Sequence, residues 1–313
     1  MNPLSLIYGS VVAVRNAVYD AGWREARRLA GPVVSVGNLA AGGTGKTPFV
    51  ILLGALLAQR GIKMDVLSRG YGRRTRGVAL VDPEGSAAEF GDEPLLIARR
   101  LGVPVVVGED RFAAGLFAEA KFGPQLHLLD DGFQHRRLHR DFNIVLLAKG
   151  DANDKLLPVG RLREPLKALR RADAIVMEND APVPIEAEGK LVWRIRRGVE
   201  LAGMPTRPVV FCGIARPERF LGELRAQGMV AAATRRFRDH HAYSEDDVRL
   251  LLALKEQSGG DGFITTEKDE INLGSLKGAL GRVAIARVKM ELADADDGVQ
   301  AMLNIVEKRR MGS

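Results

Sequence analysis

Short apolar runs alternate with amphipathic stretches along nearly the whole chain. Val33 to Val36, Met64 to Leu67, Val103 to Val107, Leu126 to Leu129, Asn143 to Leu147 and Ala174 to Met177 are short, mostly apolar runs, bounded mostly by Gly, Pro or charged residues. That pattern predicts strands buried on both faces of a parallel sheet. Phe49 to Gln59, Pro94 to Arg100 and Arg111 to Phe122 read as the helices between them. A stretch from Asn179 to Glu188, carrying Pro182 and Pro184, reads as a linker, after which the alternation resumes. Leu191 to Ile195, Val209 to Cys212, Val230 to Arg236 and Val283 to Val288 are strand-like, and Phe263 to Asp269 reads as a strand with a polar tip. Helices are expected from Pro217, from Glu245 to Leu254 with Ser244 as cap, and from Gly298 to Lys308. Alternating units in both halves predict an α/β fold. Residues 1–188 are expected as one α/β/α domain and 189–291 as a smaller α/β domain, with 292–313 packing back onto the first.

The strand at Val33 and the helix from Phe49 flank Gly37-Asn-Leu-Ala-Ala-Gly-Gly-Thr-Gly-Lys-Thr-Pro48. Strand, glycine-rich turn and helix ending in Gly-Lys-Thr form a phosphate-binding loop, so the first domain is P-loop NTPase-like. Gly42, Gly43 and Gly45 let backbone N–H groups curl around phosphate oxygens, and the helix N-terminus adds its positive dipole end. Ala40, Ala41 and Thr44 complete the loop; Lys46 reaches the β- and γ-phosphates, and Thr47 supplies a hydroxyl for Mg²⁺. The first glycine of the general pattern is Ala40 here. Downstream, the strand at Leu126 ends in Asp130-Asp-Gly-Phe-Gln-His135, an acidic strand end of the kind that holds Mg²⁺ directly or through water. Gln134 is placed to orient a phosphate or a hydroxyl. Asp92 opens the helix at Pro94, where helix capping alone accounts for a carboxylate.

The 313 residues are 46% apolar, enough for a sizeable core, and a formal charge of +7 suits an acidic partner. Only 5% are aromatic, which argues against a base-stacking surface and hence against nucleic acid. The single Cys212 excludes an intrachain disulfide and a cysteine-based zinc site. Leu4, Ile7, Val11, Val14 and Val18 fall at helical spacing, followed by Arg15, Arg24, Arg27 and Arg28. The run is too short to span a bilayer; it suits either a helix lying in an anionic membrane surface or one packed on its own domain.

These motifs admit a GTPase, a nucleic-acid-dependent ATPase, a metal-binding protein built on Asp239-His240-His241, or a small-molecule or lipid phosphotransferase. Thr266-Glu-Lys-Asp269 has the wrong spacing for guanine recognition, and no Cys/His cluster completes a metal site. The last class alone uses the phosphate loop, the basic loops (Ser68 to Arg76, Arg136 to Arg140, Arg161 to Glu164) and the N-terminal helix together.

Gly37-Asn38 with Gly42 to Pro48, Ser68-Arg-Gly-Tyr-Gly72, Gly91-Asp-Glu-Pro94, Asp130 to His135, Leu162-Arg-Glu-Pro165, Asp239-His-His241 and Thr265-Thr-Glu-Lys-Asp269 occur in the order of the tetraacyldisaccharide 4′-kinases, which the chain resembles over nearly its whole length. The resemblance implies transfer of the ATP γ-phosphate to the 4′-hydroxyl of tetraacyldisaccharide 1-phosphate, giving lipid IVA. It also implies two α/β/α lobes with the active site between them, at the cytoplasmic face of the bacterial inner membrane as a peripheral protein. On matching positions it implies that Lys46 and Thr47 handle phosphates and Mg²⁺, with Asp130, Asp131 and Gln134 near the metal and phosphates. Asp92, supported by His240, is implied as general base, Arg163 and Glu164 as nucleotide or cleft contacts, and the N-terminal helix as a membrane-docking element.

Overall fold

The computed structural model describes residues 3–312; residues 1, 2 and 313, at the outer ends of the expected spans, lie outside the described residues. The chain runs through helix α1 (Pro3–Asp20), β1 (Val33–Asn38), α2 (Lys46–Gln59), β2 (Met64–Ser68), β3 (Ala79–Leu80), α3 (Ala87–Phe90), α4 (Asp92–Leu101), β4 (Val105–Val107), α5 (Arg111–Phe122), β5 (Leu126–Asp130), β6 (Phe142–Leu146) and β7 (Ala174–Glu178). It continues with β8 (Leu191–Leu201), β9 (Pro208–Cys212), α6 (Pro217–Ala226), β10 (Ala233–Arg236), α7 (Glu245–Ser258), β11 (Gly262–Thr266), α8 (Glu267–Leu273), α9 (Lys277–Leu280), β12 (Val283–Leu292) and α10 (Ala295–Met311).

These strands form a single 12-stranded sheet in the order β10-β9-β11-β12-β8-β7-β6-β1-β5-β2-β4-β3. The pairs around β1 are parallel, with Val34 opposite Leu128 on one side and Phe142 on the other. Alternation along each strand assigns the two faces. Val34, Val36, Val66 and Leu128 pack with Phe49, Leu53 and Leu57 of α2, whereas Val33, Leu67, Val106 and Leu129 pack with Ala114 and Ala118 of α5. Both faces are covered, so the strands read in sequence as largely apolar runs, with Ser35, Asp65 and His127 as buried polar exceptions.

The two halves join where β8 pairs with β7, and β8 also pairs with β12, its long antiparallel neighbour, registered from Ile195 opposite Leu292 to Leu201 opposite Ala286. The stretch expected as a linker is instead a packed crossover between the parallel neighbours β7 and β8, with Ala181 and Ala187 buried in it. Its proline content reflects the turns of that crossover. Two other local expectations change. Val230 is 80% exposed and the strand there starts only at Ala233. Thr266 ends β11 and caps α8 by accepting from the Asp269 N–H, so Glu267 to Asp269 begin a helix rather than tip a strand. α10 packs back on the first half, where Arg310 donates to Asp141 and Arg309 to Asp173.

Candidate active site

A cavity of about 440 Å³, within the usual range for small-molecule sites, opens at the C-terminal ends of the sheet strands. The phosphate loop, Ser68, Arg69, Asp130, Asp131 and Arg163 line one wall. Ile214 to Arg216, Asp239, His240 and Thr266 to Lys268 line the other, from loops after β9, β10 and β11.

The loop is braced from beneath. Asn38, fully buried at the end of β1, donates to the Ala40 carbonyl at 2.6 Å and to Thr44 Oγ1 at 2.6 Å. Ala41 N–H donates to the Arg161 carbonyl at 2.7 Å, so the segment Arg161 to Arg163 runs as an extended strip behind it. Gly45 caps α2 with φ 89°, a conformation that costs a side chain dearly. Gly43 serves a second purpose: a Cβ there would stand 2.6 Å from Arg216 Cγ on the opposite wall. Ala40 is itself fully buried, away from the cavity, and its φ is not positive, so the missing first glycine costs nothing at this position.

Asp130 and Asp131 leave β5 with different fates. Asp130 Oδ2 accepts from Ser68 Oγ at 2.9 Å, while its Oδ1 is buried without a partner. Burial, with Glu93 and Asp131 close by, pushes this carboxyl up to about 7. Asp131 sits in the left-handed region at φ 49° and takes both Arg163 amino groups, at 2.9 and 3.1 Å, with Lys46 Nζ at 3.6 Å. Burial opposes its ionisation, yet Lys46 and Arg163 outweigh it and hold the carboxyl well below the usual range. Arg163 also donates to Asn38 Oδ1, a bond that ties the acidic turn to the loop brace.

Asp92 is the first residue of α4 and only 4% exposed. His240 Nδ1 lies 2.8 Å from its Oδ2 and 3.1 Å from its Oδ1, Asn272 donates to Oδ2 at 3.2 Å, and Lys268 Nζ is 4.0 Å away. Burial alone would raise the Asp92 carboxyl, but the His240 hydrogen bond and the Lys268 charge bring it down to about 2. An ionised carboxylate only accepts, so Nδ1 carries the proton in this pair. The bond to Asp92 raises His240 above the ordinary imidazole value. His240 holds φ 55°, a strained backbone state that aims its ring across the cleft, and it lines the cavity where Asp92 does not. His241 points elsewhere: its Nε2 meets Asp247 at 3.0 Å and its ring stacks on Phe237. Among the described residues no cluster of three or more His, Cys, Asp or Glu is arranged for a metal, the Asp239-His240-His241 run included.

Besides Ala40 and Asp92, two other expected site residues, Glu164 and Gln134, do not line the cavity. Glu164 is fully buried under α1, bonded to Arg171 at 2.6 Å and Asn16 at 2.7 Å. Gln134 donates to the Asn38 carbonyl at 2.9 Å and so braces the loop. Sequence reasoning missed Asn38 and Lys268; the signal was present in both cases, as a polar residue inside a buried strand and a cation in an otherwise unassigned motif. Above this network α1 docks through Tyr8 to the Arg163 carbonyl at 3.1 Å and Asp20 to Arg136 at 2.7 Å. Its other face leaves Leu4, Leu6, Ile7, Val11 and Val14 between 52% and 64% exposed. No described helix is long and apolar enough to cross a membrane.

Known proteins resemble this chain in sequence and in fold. A family profile described as tetraacyldisaccharide-1-P 4′-kinase matches residues 1–307. The tetraacyldisaccharide 4′-kinase of Koribacter versatilis is 50% identical, covering 99% of this chain and 100% of its own. That of Geobacter metallireducens is 41% identical, covering 93% of each chain. A crystal structure of LpxK from Aquifex aeolicus in complex with ATP is similar at a TM-score of 0.80 and 35% identity, covering 97% of each chain.

Proposed function

The chain belongs to the tetraacyldisaccharide 4′-kinase family, and from that premise we propose how its residues divide the reaction. It is an ATP-dependent kinase of lipid A biosynthesis, moving the ATP γ-phosphate to the 4′-hydroxyl of tetraacyldisaccharide 1-phosphate to give lipid IVA. The backbone of Gly42 to Thr47 holds the phosphates, with Ala41 at the rim. Lys46, freed from Asp131, follows the γ-phosphate as charge develops on it. Arg163 fixes Asp131, which serves as counter-ion to Lys46 rather than as an open ligand.

The oxygens present fit Mg²⁺: a Thr47 hydroxyl, and an Asp130 carboxyl with one buried oxygen unpartnered and its ionisation opposed by burial and by Glu93 and Asp131. Held there with phosphate oxygens, Mg²⁺ would draw negative charge off the β- and γ-phosphates. Asp131 stands beside that position but is committed to Arg163.

The 4′-oxygen forms a new bond to phosphorus, the bond from phosphorus to the β–γ bridging oxygen breaks, and ADP leaves with that electron pair. The hydroxyl proton passes to the Asp92–His240 pair. Asp92 is the charged base and the imidazole, which borders the cavity, orients it and shares the proton. The observation that carries this reading is the 2.8 Å contact between these two residues from opposite walls, beside an intact phosphate loop. Residues 189–291 act as the smaller lobe that closes the cleft and completes the base. The exposed apolar face of α1, next to Arg15 and Arg24, rests on an anionic membrane surface, with the protein peripheral at the cytoplasmic face of the inner membrane.

Incubation of purified protein with ATP, Mg²⁺ and tetraacyldisaccharide 1-phosphate, followed by mass spectrometry of the lipid, tests the reaction. A gain of one phosphate, lost in Asp92→Ala protein that still binds ATP, is the expected result; ATP consumption without lipid phosphorylation refutes it.

A further inference from the structure

Lys268 belongs to Thr265-Thr-Glu-Lys-Asp269, a motif to which the reaction as described gives no task. Its neighbours within the motif are structural. Thr266 caps α8, and the buried Asp269 takes bonds from Gly213 N–H at 2.7 Å and Tyr243 hydroxyl at 2.8 Å. Lys268 instead points across the cleft. Its ammonium lies 2.8 Å from Glu93 Oε1 and 4.0 Å from Asp92 Oδ2, and its largely buried side chain borders the cavity.

We propose that Lys268 is a positioning residue for phosphoryl transfer: seated between Glu93 and Asp92, its ammonium keeps the Asp92 carboxylate ionised and oriented toward His240. The inference rests on that pair being the proton acceptor. The physical need is visible in the placement. Asp92, buried, and Glu93, half-buried at the cavity, are adjacent carboxylates at one helix end, and Asp130 lies near Glu93. Carboxylates so crowded cannot all stay ionised without a cation between them. The groups facing Asp92 are His240 and Asp239 from the loop after β10, Lys268 and Asn272 from α8, and Glu93 from its own helix, with Lys46 behind Glu93. Lys46 and Arg163 are engaged at Asp131, which leaves Lys268 as the fixed positive charge at Asp92 among the described residues.

The direction of the effect does not depend on which member of the pair keeps the proton. Removing a cation at this range raises a carboxyl by about one unit or more, and it also relieves repulsion on the imidazole, so both groups move up. The experiment compares wild type, Lys268→Met and Lys268→Arg in full-length protein, by the pH dependence of turnover and by NMR titration of the His240 ring. In Lys268→Met the acid limb of kcat/KM for lipid moves up by about one pH unit, a roughly tenfold loss near that limb that fades at alkaline pH. KM for ATP is unchanged, the His240 titration moves up, and Lys268→Arg restores both. An equal loss at every pH, or an unmoved His240 titration in a variant that still binds ATP, overturns the proposal. A shifted titration with an unshifted rate profile overturns instead the assignment of the pair as proton acceptor. Should Lys268→Met fold poorly, Lys268→Gln and the Arg variant carry the same comparison.

Discussion

The contact between Asp92 and His240 can be broken from either side, and the two losses should not multiply. In His240→Ala, the Asp92 carboxylate loses the donor at 2.8 Å and keeps Asn272 at 3.2 Å, Lys268 at 4.0 Å and the Glu93 N–H at 2.8 Å. It stays ionised but is neither aimed nor able to pass a proton on. In Asp92→Asn, the shape survives and the charge is gone. General acid–base catalysis is worth roughly 10²–10⁴ in rate, so each variant should lose about that much kcat in the conversion of ATP and tetraacyldisaccharide 1-phosphate. The double variant should fall no lower than the poorer single one, because both deletions remove one functional unit. ATP affinity, measured by calorimetry without lipid, should change less than about threefold, since the phosphate loop lies on separate residues. The same pair affects stability. Its carboxyl is carried from 3.8 to about 2, so it contributes about 2 kcal/mol at neutral pH. The sign follows from the depressed value: the contribution is complete above about pH 4 and is lost as pH falls through 2. The raised His240 works the other way, contributing below its ordinary pKa and fading as pH climbs past its folded value. Multiplying kinetic losses, or weakened ATP binding with kcat preserved, would refute the assignment and return Asp92 to a helix-end carboxylate.

Lys46→Ala should lower turnover by at least about 10²-fold while the fold persists by circular dichroism, and wild-type turnover would falsify its role at the γ-phosphate. Replacing Leu6, Ile7, Val11 and Val14 with Ser should cut binding to anionic vesicles by about three orders of magnitude, from about 1 kcal/mol for each of the four side chains. Unchanged vesicle sedimentation would make α1 a structural helix only. Glu164→Ala should cost about 3 kcal/mol in urea unfolding by stranding Arg171 and Asn16, with ATP affinity intact. A selective loss of ATP affinity would instead return Glu164 to the nucleotide site.

What was legible in the chain was local. The phosphate loop could be read because its strand, turn and helix are contiguous, and the exposed stripe of α1 because helical spacing reports a face whether or not anything covers it. The order of the sheet could not, since β8 pairs with β7 on one side and β12 on the other through contacts far apart in sequence. The prolines between β7 and β8 accordingly suggested a tether where the chain makes a packed crossover. Glu164 is a different kind of miss. Leu162 bridges to Ala40, so the segment is extended and successive side chains point to opposite sides. With Arg163 facing Asp131, Glu164 has to face away, and expecting both at the nucleotide was inconsistent with an extended strip. For Asp92, helix capping was the local reading, and what it leaves out is non-local: the partner His240 is 148 residues away in sequence, on the other wall.

That division between walls bears on how a kinase with a water-filled cleft spares ATP. On the assignment proposed above, the groups that hold phosphate, the glycine loop and Lys46, come from the first half, where Asn38 braces the loop and the Arg163–Asp131 pair sits beside Lys46. Of the groups at the proton acceptor, Asp92 and Glu93 come from α4, and His240, Lys268 and Asn272 come from the second half. ATP can therefore be held before the base exists. Moving the second wall away would take His240, Lys268 and Asn272 from Asp92 and leave its carboxylate with the Glu93 N–H, with no imidazole to orient it or share a proton. A water molecule reaching the γ-phosphate in that state meets no organised acceptor for its proton. When the walls meet, the acceptor is assembled in a site from which most water has been displaced, and the sugar hydroxyl is the nucleophile left within reach. The strained backbone at His240 is consistent with a residue whose position is dictated by the opposite wall rather than by its own loop.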